Sequence, residues 1–187
     1  MKGEEEKLIK KAQQGESESF GLLYDQYFSA IYRFVFLKVS NQTDAEDLTQ
    51  QVFLKAWKNI GSYKSQGFPF SSWLYKIAHN TVIDHYRTQK IHVDLETVVD
   101  QAIANWSNED RTNEMLNLEI VQVSIKKLES EQQTVLIMKF TNELSNKEIA
   151  HTLNKSEGAV RVIQHRALKK LKGLLSNLKS EGQTKFD

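Results

Sequence analysis

Between Glu4 and Lys58 apolar residues return at intervals of three and four, as in Phe20, Leu23, Tyr24, Tyr27, Ile31, Phe34 and Val35. A helix turns once in about 3.6 residues, so this spacing gathers the apolar side chains on one stripe that must be buried against a neighbour. Helices are predicted near residues 4–14, 16–39, 43–60 and 70–88. The single Pro and eight Gly leave too few turns for a β-sandwich. The predicted fold class is all-α. Gly61 to Pro69 holds two of the Gly and the only Pro, which makes it the clearest loop, and Tyr63, Phe68 and Phe70 crowd it. Helical patterning resumes near Asn113 and runs to Leu178. Residues 89–112 are polar, acidic and weakly periodic, as suits a linker.

Charge sharpens the division. Residues 1–90 carry 12 Lys+Arg and 10 Asp+Glu, residues 91–118 carry 1 and 6, and residues 119–187 carry 12 and 8. An acidic segment thus separates two mildly basic ones. The expected organisation is two small helical domains, 1–90 and 119–180, joined by a linker at 91–118 and followed by a tail at 181–187. A length of 187 residues accommodates this. The absence of Cys removes disulfides, thiolate metal sites and cysteine nucleophiles together. No apolar run approaches the roughly 18 to 20 residues of a membrane span, and Met1 to Lys11 lacks a signal-peptide core. A cytoplasmic protein without membrane insertion is expected.

In the C-terminal half, Ser145-Asn-Lys-Glu148 has the spacing of a capping box, in which a Ser hydroxyl and a Glu carboxylate satisfy helix-end amides reciprocally. The helix it opens places Ile149, Ala150 and Leu153 inward. Asn154-Lys155 can turn the chain, and Ser156 can cap a second helix beginning Glu157-Gly-Ala-Val160. Helix, short turn and helix make a helix-turn-helix. On the second helix Val160, Ile163, Ala167, Leu171, Leu174 and Leu178 share one face. Arg161, Val162, His165, Arg166 and Lys169 crowd the other side, suited to base edges near the helix start and to phosphates further along. The same pattern also fits a helical hairpin with a solvated basic face.

In the N-terminal half, Asp44 to Trp57 wound as a helix sends Ala45, Leu48, Val52 and Ala56 one way. Asp47, Gln50, Gln51, Leu54 and Lys58 fall on another stripe, either a solvated face or a protein-binding one. The following helix turns Leu74, Ile77, Ala78, Thr81 and His85 inward and Lys76, Asn80, Ile83 and Arg87 outward. Its outward stripe pairs cations with an amide able to read a base edge. The aromatic loop before it could stack on unpaired bases, or Phe68, Phe70 and Trp73 could close the core.

DAEDLTQQVFLKAW followed by SSWLYKIAHNTVIDHYR resembles region 2 of extracytoplasmic-function (ECF) sigma factors, in the sigma-70 family. LESEQQTVLIMKF, four residues on, and then LSNKEIAHTLNKSEGAVRVIQHRALKKL resemble region 4. The resemblance implies a promoter-melting helical bundle and a −35-reading helix-turn-helix. It implies a subunit that binds RNA polymerase core, at the β′ clamp helices and the β flap, and directs promoter-specific initiation. Asp47, Gln50, Gln51 and Leu54 match the family's core-binding positions. Tyr63, Phe68, Lys76, Asn80, Asp84 and Arg87 match its capture of the −10 strand. Lys139, Ser156, Arg161, Val162, His165, Arg166 and Lys169 match positions facing the −35 duplex. The acidic segment resembles the linker that threads through core along the RNA path. An anti-sigma factor is the usual regulator in this family.

Two departures from the family stand out. Glu129 occupies the position where a proline usually opens region 4, which softens that boundary, and Ile163-Gln164 replaces a common Arg-aliphatic pair, so base contacts are expected to differ. A response-regulator-type transcription factor is the alternative, since its helix-turn-helix opens similarly, but residues 1–110 lack the alternating strand and helix pattern of a receiver. No enzyme is expected. The five His include no i, i+4 pair and no His-Glu-x-x-His, and there is no Gly-rich phosphate loop, so neither metal, cofactor nor small-molecule substrate is anticipated.

Overall fold

The computed structural model describes residues 2–89 and 123–183. The expected linker at 91–118 lies outside them. In the N-terminal half α1 spans Lys2–Gln13, α2 Ser17–Val39, α3 Gln42–Asn59 and α4 Phe70–Gln89, with a 3₁₀ turn at Ile60–Ser62. No strand occurs among the described residues. Residues 2–89 form helices without the alternating strands of a receiver, so the response-regulator alternative is not favoured.

The apolar stripes meet as their spacing requires. Leu23, Ile31, Phe34 and Val35 of α2 are buried against Ala45, Leu48, Val52 and Ala56 of α3 and against Leu74, Ala78 and Val82 of α4. A tight connection makes α2 and α3 neighbours. Ser40 adopts the left-handed conformation at φ 57°, and the Asn41 side chain accepts from the Asp44 amide at 2.9 Å to open α3. Burial of one such Leu or Phe side chain contributes about 1.5–3 kcal/mol, so the α2 stripe alone is a major part of the bundle's stability.

In the C-terminal half a helical turn at 123–126 precedes α5 at Ser130–Leu136, a π-helical turn at Ile137–Thr141, α6 at Asn146–Leu153 and α7 at Glu157–Gln183. Glu129, where the family pattern has proline, opens the next helix by another device. Its side chain accepts from the backbone of Gln132, and the Gln132 side chain accepts from its amide, so a complete capping box starts α5 where the family pattern has proline. After α5 the Asn142 amide donates to the Ile137 carbonyl at 3.2 Å, a five-residue step that widens the helix by one residue. Ile137 and Met138 stay buried while Phe140 swings out to 60% exposure.

The two halves pack together. Ile137, Met138, Leu144, Ile149 and Val160 belong to the same buried cluster as the α2 and α3 stripes. Polar contacts cross the seam as well. Asn142 Nδ2 donates to the Ala30 carbonyl at 3.1 Å, and the Thr152 hydroxyl donates to the Ser72 carbonyl at 3.3 Å. A separate group of apolar residues, Leu128, Leu136 and Ala167, ties α5 to α7.

Candidate polymerase and nucleic-acid interface

On α3 the division of faces is sharp. Ala45, Val52 and Ala56 are fully buried and Leu48 nearly so, while Asp47, Gln50 and Gln51 point to solvent. Leu54 shares their side of the helix at 59% exposure. An apolar side chain left bare beside two amides and a carboxylate has the composition of a protein contact surface. The structure therefore brings the four expected core-binding residues onto one accessible stripe.

The aromatic loop is built by a tight turn. Gln66 and Gly67 both have positive φ, 43° and 79°, and the Phe68 amide donates to the Ser65 carbonyl at 2.8 Å. Gly67 suits this position because an L side chain there would be strained even though space around it is open. Pro69 then leads into α4, whose first turn closes with the Ser72 amide on the Pro69 carbonyl at 3.0 Å. The rings divide between two tasks. Phe70 is buried, and Tyr63 meets it edge-on at 5.2 Å while lying 5.0 Å from Trp73. Burial pushes the Tyr63 hydroxyl pKa up. Phe68 stands apart from this cluster. Its ring lies on that of His151 from α6, 3.8 Å between centroids and 19° from parallel, with Lys147 Nζ 5.5 Å from its centre.

Along α4, Lys76, Asn80 and Arg87 are exposed, and Asp84 is partly so. Asp84 is joined to Arg87 at 3.1 Å one turn on, an exposed pair of small energetic weight. Ile83 is exposed on the same side. The inward set is as the periodicity requires, with Leu74, Ala78 and Thr81 buried and Lys55 donating to the Thr81 hydroxyl at 3.1 Å.

The helix-turn-helix forms as its capping residues dictate. Ser145 Oγ accepts from the Glu148 amide at 3.2 Å, and Glu148 Oε2 accepts from the Ser145 amide at 2.7 Å. Asn154 ends α6 in the left-handed conformation at φ 55°, with the Lys155 amide returning to the Ala150 carbonyl at 2.9 Å. Ser156 Oγ accepts from the Ala159 amide at 3.1 Å, so its hydroxyl is engaged in opening α7. Val160 and Ala167 are buried beneath, and Arg161, Val162, His165, Arg166 and Lys169 are exposed above. Arg161 is held loosely by Glu157 at 3.5 Å. Ile163 packs against the core. Its side chain serves packing, and with Gln164 half-buried beside it this pair sits at the inner margin of the exposed face. Lys139 lies apart on the π turn, half-buried, with Nζ on the Leu144 carbonyl at 3.4 Å.

Three residues with evident roles had no sequence signal. His151 and Lys147 read as ordinary polar positions of α6, yet they enclose Phe68. Lys38 reads as a C-terminal helix cation, yet it is buried at 7% exposure between the halves.

Family models described as sigma-70 region 2 and sigma-70 region 4 match residues 23–91 and 124–173. The chain is 36% identical over 170 residues to the ECF RNA polymerase sigma factor BldN of Streptomyces coelicolor, covering 90% of itself and 64% of that protein. It is 31% identical over 182 residues to the ECF RNA polymerase sigma factor SigW of Bacillus subtilis, covering 92% of itself and 97% of the relative. The solved structure of CnrH in complex with the cytosolic domain of CnrY superposes with a TM-score of 0.72 at 25% identity, over 93% of this chain and 98% of that one. The sigma factor RpoE of Bartonella quintana, solved with the anti-sigma factor NepR, shares the fold with a TM-score of 0.69 at 20% identity, over 85% of this chain and 98% of that one. Two helical units, one a helix-turn-helix, thus define a promoter-recognition subunit of RNA polymerase. The chain belongs to the sigma-70 family, in its ECF group. It acts by binding RNA polymerase core and directing initiation at promoters.

Proposed function

We propose a division of that task among the residues above. The α3 stripe of Asp47, Gln50, Gln51 and Leu54 docks on the β′ clamp helices, and the C-terminal half meets the β flap. The loop carrying Phe68, with Lys76, Asn80 and Arg87 of α4, holds the unpaired −10 strand through stacking and polar contacts. Arg161, Val162, His165, Arg166 and Lys169 face the −35 duplex. Ser156 serves that surface by capping α7, and Tyr63 by bracing the loop on Phe70 and Trp73. The observation that carries this reading is the coincidence of exposed polar faces with opposite faces packed into the core on α3, α4 and α7.

In the same reading residues 1–90 and 119–180 are the two functional units and 91–118 the acidic connection along the RNA path. The chemistry belongs to the polymerase, and the relatives are sigma factors. No described helix is long and apolar enough to cross a membrane. Cytoplasmic residence follows from the need to meet polymerase. RpoE is bound by an anti-sigma factor, which supports a regulator of that class here.

The test is runoff transcription on genomic promoter fragments with purified bacterial core, with and without the chain. Chain-dependent initiation from discrete sites is expected. No initiation at any site, together with no binding to core, overturns the proposal.

A further inference from the structure

The base of the aromatic loop is held from α1, a helix with no part in the contacts assigned to polymerase or DNA. Gln13 is the last residue of α1, set in place by its buried neighbour Ala12 and followed by Gly15, whose φ of 93° turns the chain toward α2. Its side-chain amide reaches across 47 and 50 residues of sequence to two main-chain oxygens. Nε2 donates to the Ile60 carbonyl at 3.1 Å and to the Tyr63 carbonyl at 2.9 Å. A carboxamide nitrogen carries two hydrogens, so this one segment uses both. The two oxygens bracket the 3₁₀ turn at Ile60–Ser62, which the Tyr63 amide closes on the Ile60 carbonyl at 3.0 Å.

The hold falls where it decides the path of the loop. Ile60 is buried, and Tyr63 is the first residue past the turn, extended at φ −63° and ψ 131°. Only Lys64 then stands before the second turn, in which the Phe68 amide donates to the Ser65 carbonyl and Ser65 Oγ donates to the Phe68 carbonyl at 3.1 Å. Phe68 thus rides on a short arm rooted at Tyr63. α1 braces the same root from behind, because Glu5 accepts from the Tyr27 hydroxyl and the Tyr27 ring lies 5.7 Å from Phe70, against which Tyr63 packs.

We propose that Gln13 is a positioning residue for promoter opening, fixing through the Ile60 and Tyr63 carbonyls the arm that presents Phe68. The inference rests on the assignment of Phe68 to the −10 strand. Removing the two donors leaves the part-buried Tyr63 carbonyl without this partner, which favours other loop conformations over the one that carries Phe68 outward from α4. The bundle core beneath does not depend on the amide, since Ile9 and Ala12 bury α1 by apolar contact.

Gln13→Met keeps the length of the side chain and loses both donors, and Gln13→Lys keeps a donor at nearly the same reach. In the free full-length chain, hydrogen exchange at the Tyr63 and Phe68 amides should quicken severalfold in Gln13→Met, with the Val52 and Ala56 amides of α3 unchanged as a control on the bundle. In holoenzyme at equal core occupancy, permanganate reactivity of thymines near −10 should fall severalfold in Gln13→Met and return most of the way in Gln13→Lys. Core affinity should be the same for all three chains, a split that general loss of bundle stability would not give. Exchange unchanged in Gln13→Met, or reactivity unchanged there while Phe68→Ala lowers it, overturns the proposal. Reactivity unaffected by Phe68→Ala instead overturns the −10 assignment, and the exchange result still decides whether Gln13 holds the loop.

Discussion

The Lys38 ammonium, near the end of α2, donates to both the carbonyl and the hydroxyl of Ser130, the first residue of α5, at 3.0 and 3.2 Å. This contact joins the two halves across a sequence separation of 92 residues, with the ammonium buried. Burial draws the Lys38 pKa down from 10.5 to about 8. His79 feels the same region. Burial, then the Lys38 charge, hold it near 4 instead of 6.5, while Glu131 acts in the opposite direction.

A stability profile follows from these two groups. His79 has its folded pKa below the unfolded value, so its contribution is complete above pH 6.5 and is lost as the pH falls toward 4. The slope is at most about 1.4 kcal/mol per pH unit for one proton. Lys38 is also depressed, so the cost of burying its charge is full below about pH 8 and is relieved between 8 and 10.5. Urea midpoints should therefore fall from about pH 6.5 to about 5 and rise from about pH 8 to about 9.5. His79→Gln should flatten the first slope and Lys38→Met the second.

The α3 stripe predicts a separation of folding from binding. Asp47, Gln50 and Leu54 lie outside the core, so Ala at each should change stability by no more than about 0.5 kcal/mol. Core affinity should drop about tenfold or more for the Leu54→Ala and Asp47→Ala chains, the scale of a central interface residue. Equilibrium titration with labelled core, beside thermal melts, measures both.

The turn before Phe68 depends on Gly67 at φ 79°. Gly67→Ala should cost roughly 1–2 kcal/mol in the loop through left-handed strain, without a clash. Global melting is expected to shift little, while promoter opening by the holoenzyme weakens. Equal opening by both chains would show that the turn does not set the position of Phe68.

Cations on α7 predict a salt signature. Holoenzyme affinity for promoter duplex should fall linearly on a log–log plot against salt, and Lys169→Ala should reduce the slope by about one while weakening all promoters alike. Val162→Ala should instead alter preference among −35 sequences and leave the slope unchanged. Competition binding at several salt concentrations distinguishes the two.

Local chemistry makes much of this molecule legible in its amino-acid order. The Ser145–Glu148 capping box, the left-handed Asn154 and the Ser156 cap form the turn their residue types imply, because each bond lies within five residues. The α3 faces also follow from period alone. Neither local bonds nor period reveal Lys38, His151 or the π turn. A lysine on a helical surface and a lysine buried in a seam have the same local sequence, and only the approach of α5 decides between them. Likewise Glu129 replaces a proline signal with a reciprocal Glu-Gln cap, a solution that residue preference does not single out.

Phe68 and the α4 face are the parts of this chain proposed to hold the −10 strand open for polymerase. Permanganate reactivity of thymines across a responsive promoter measures this directly. Holoenzyme containing the chain should expose a short block of reactive thymines near −10, reduced severalfold by Phe68→Ala at equal core occupancy. Reactivity that is absent with the native chain, or unchanged in the Phe68→Ala variant, would contradict it.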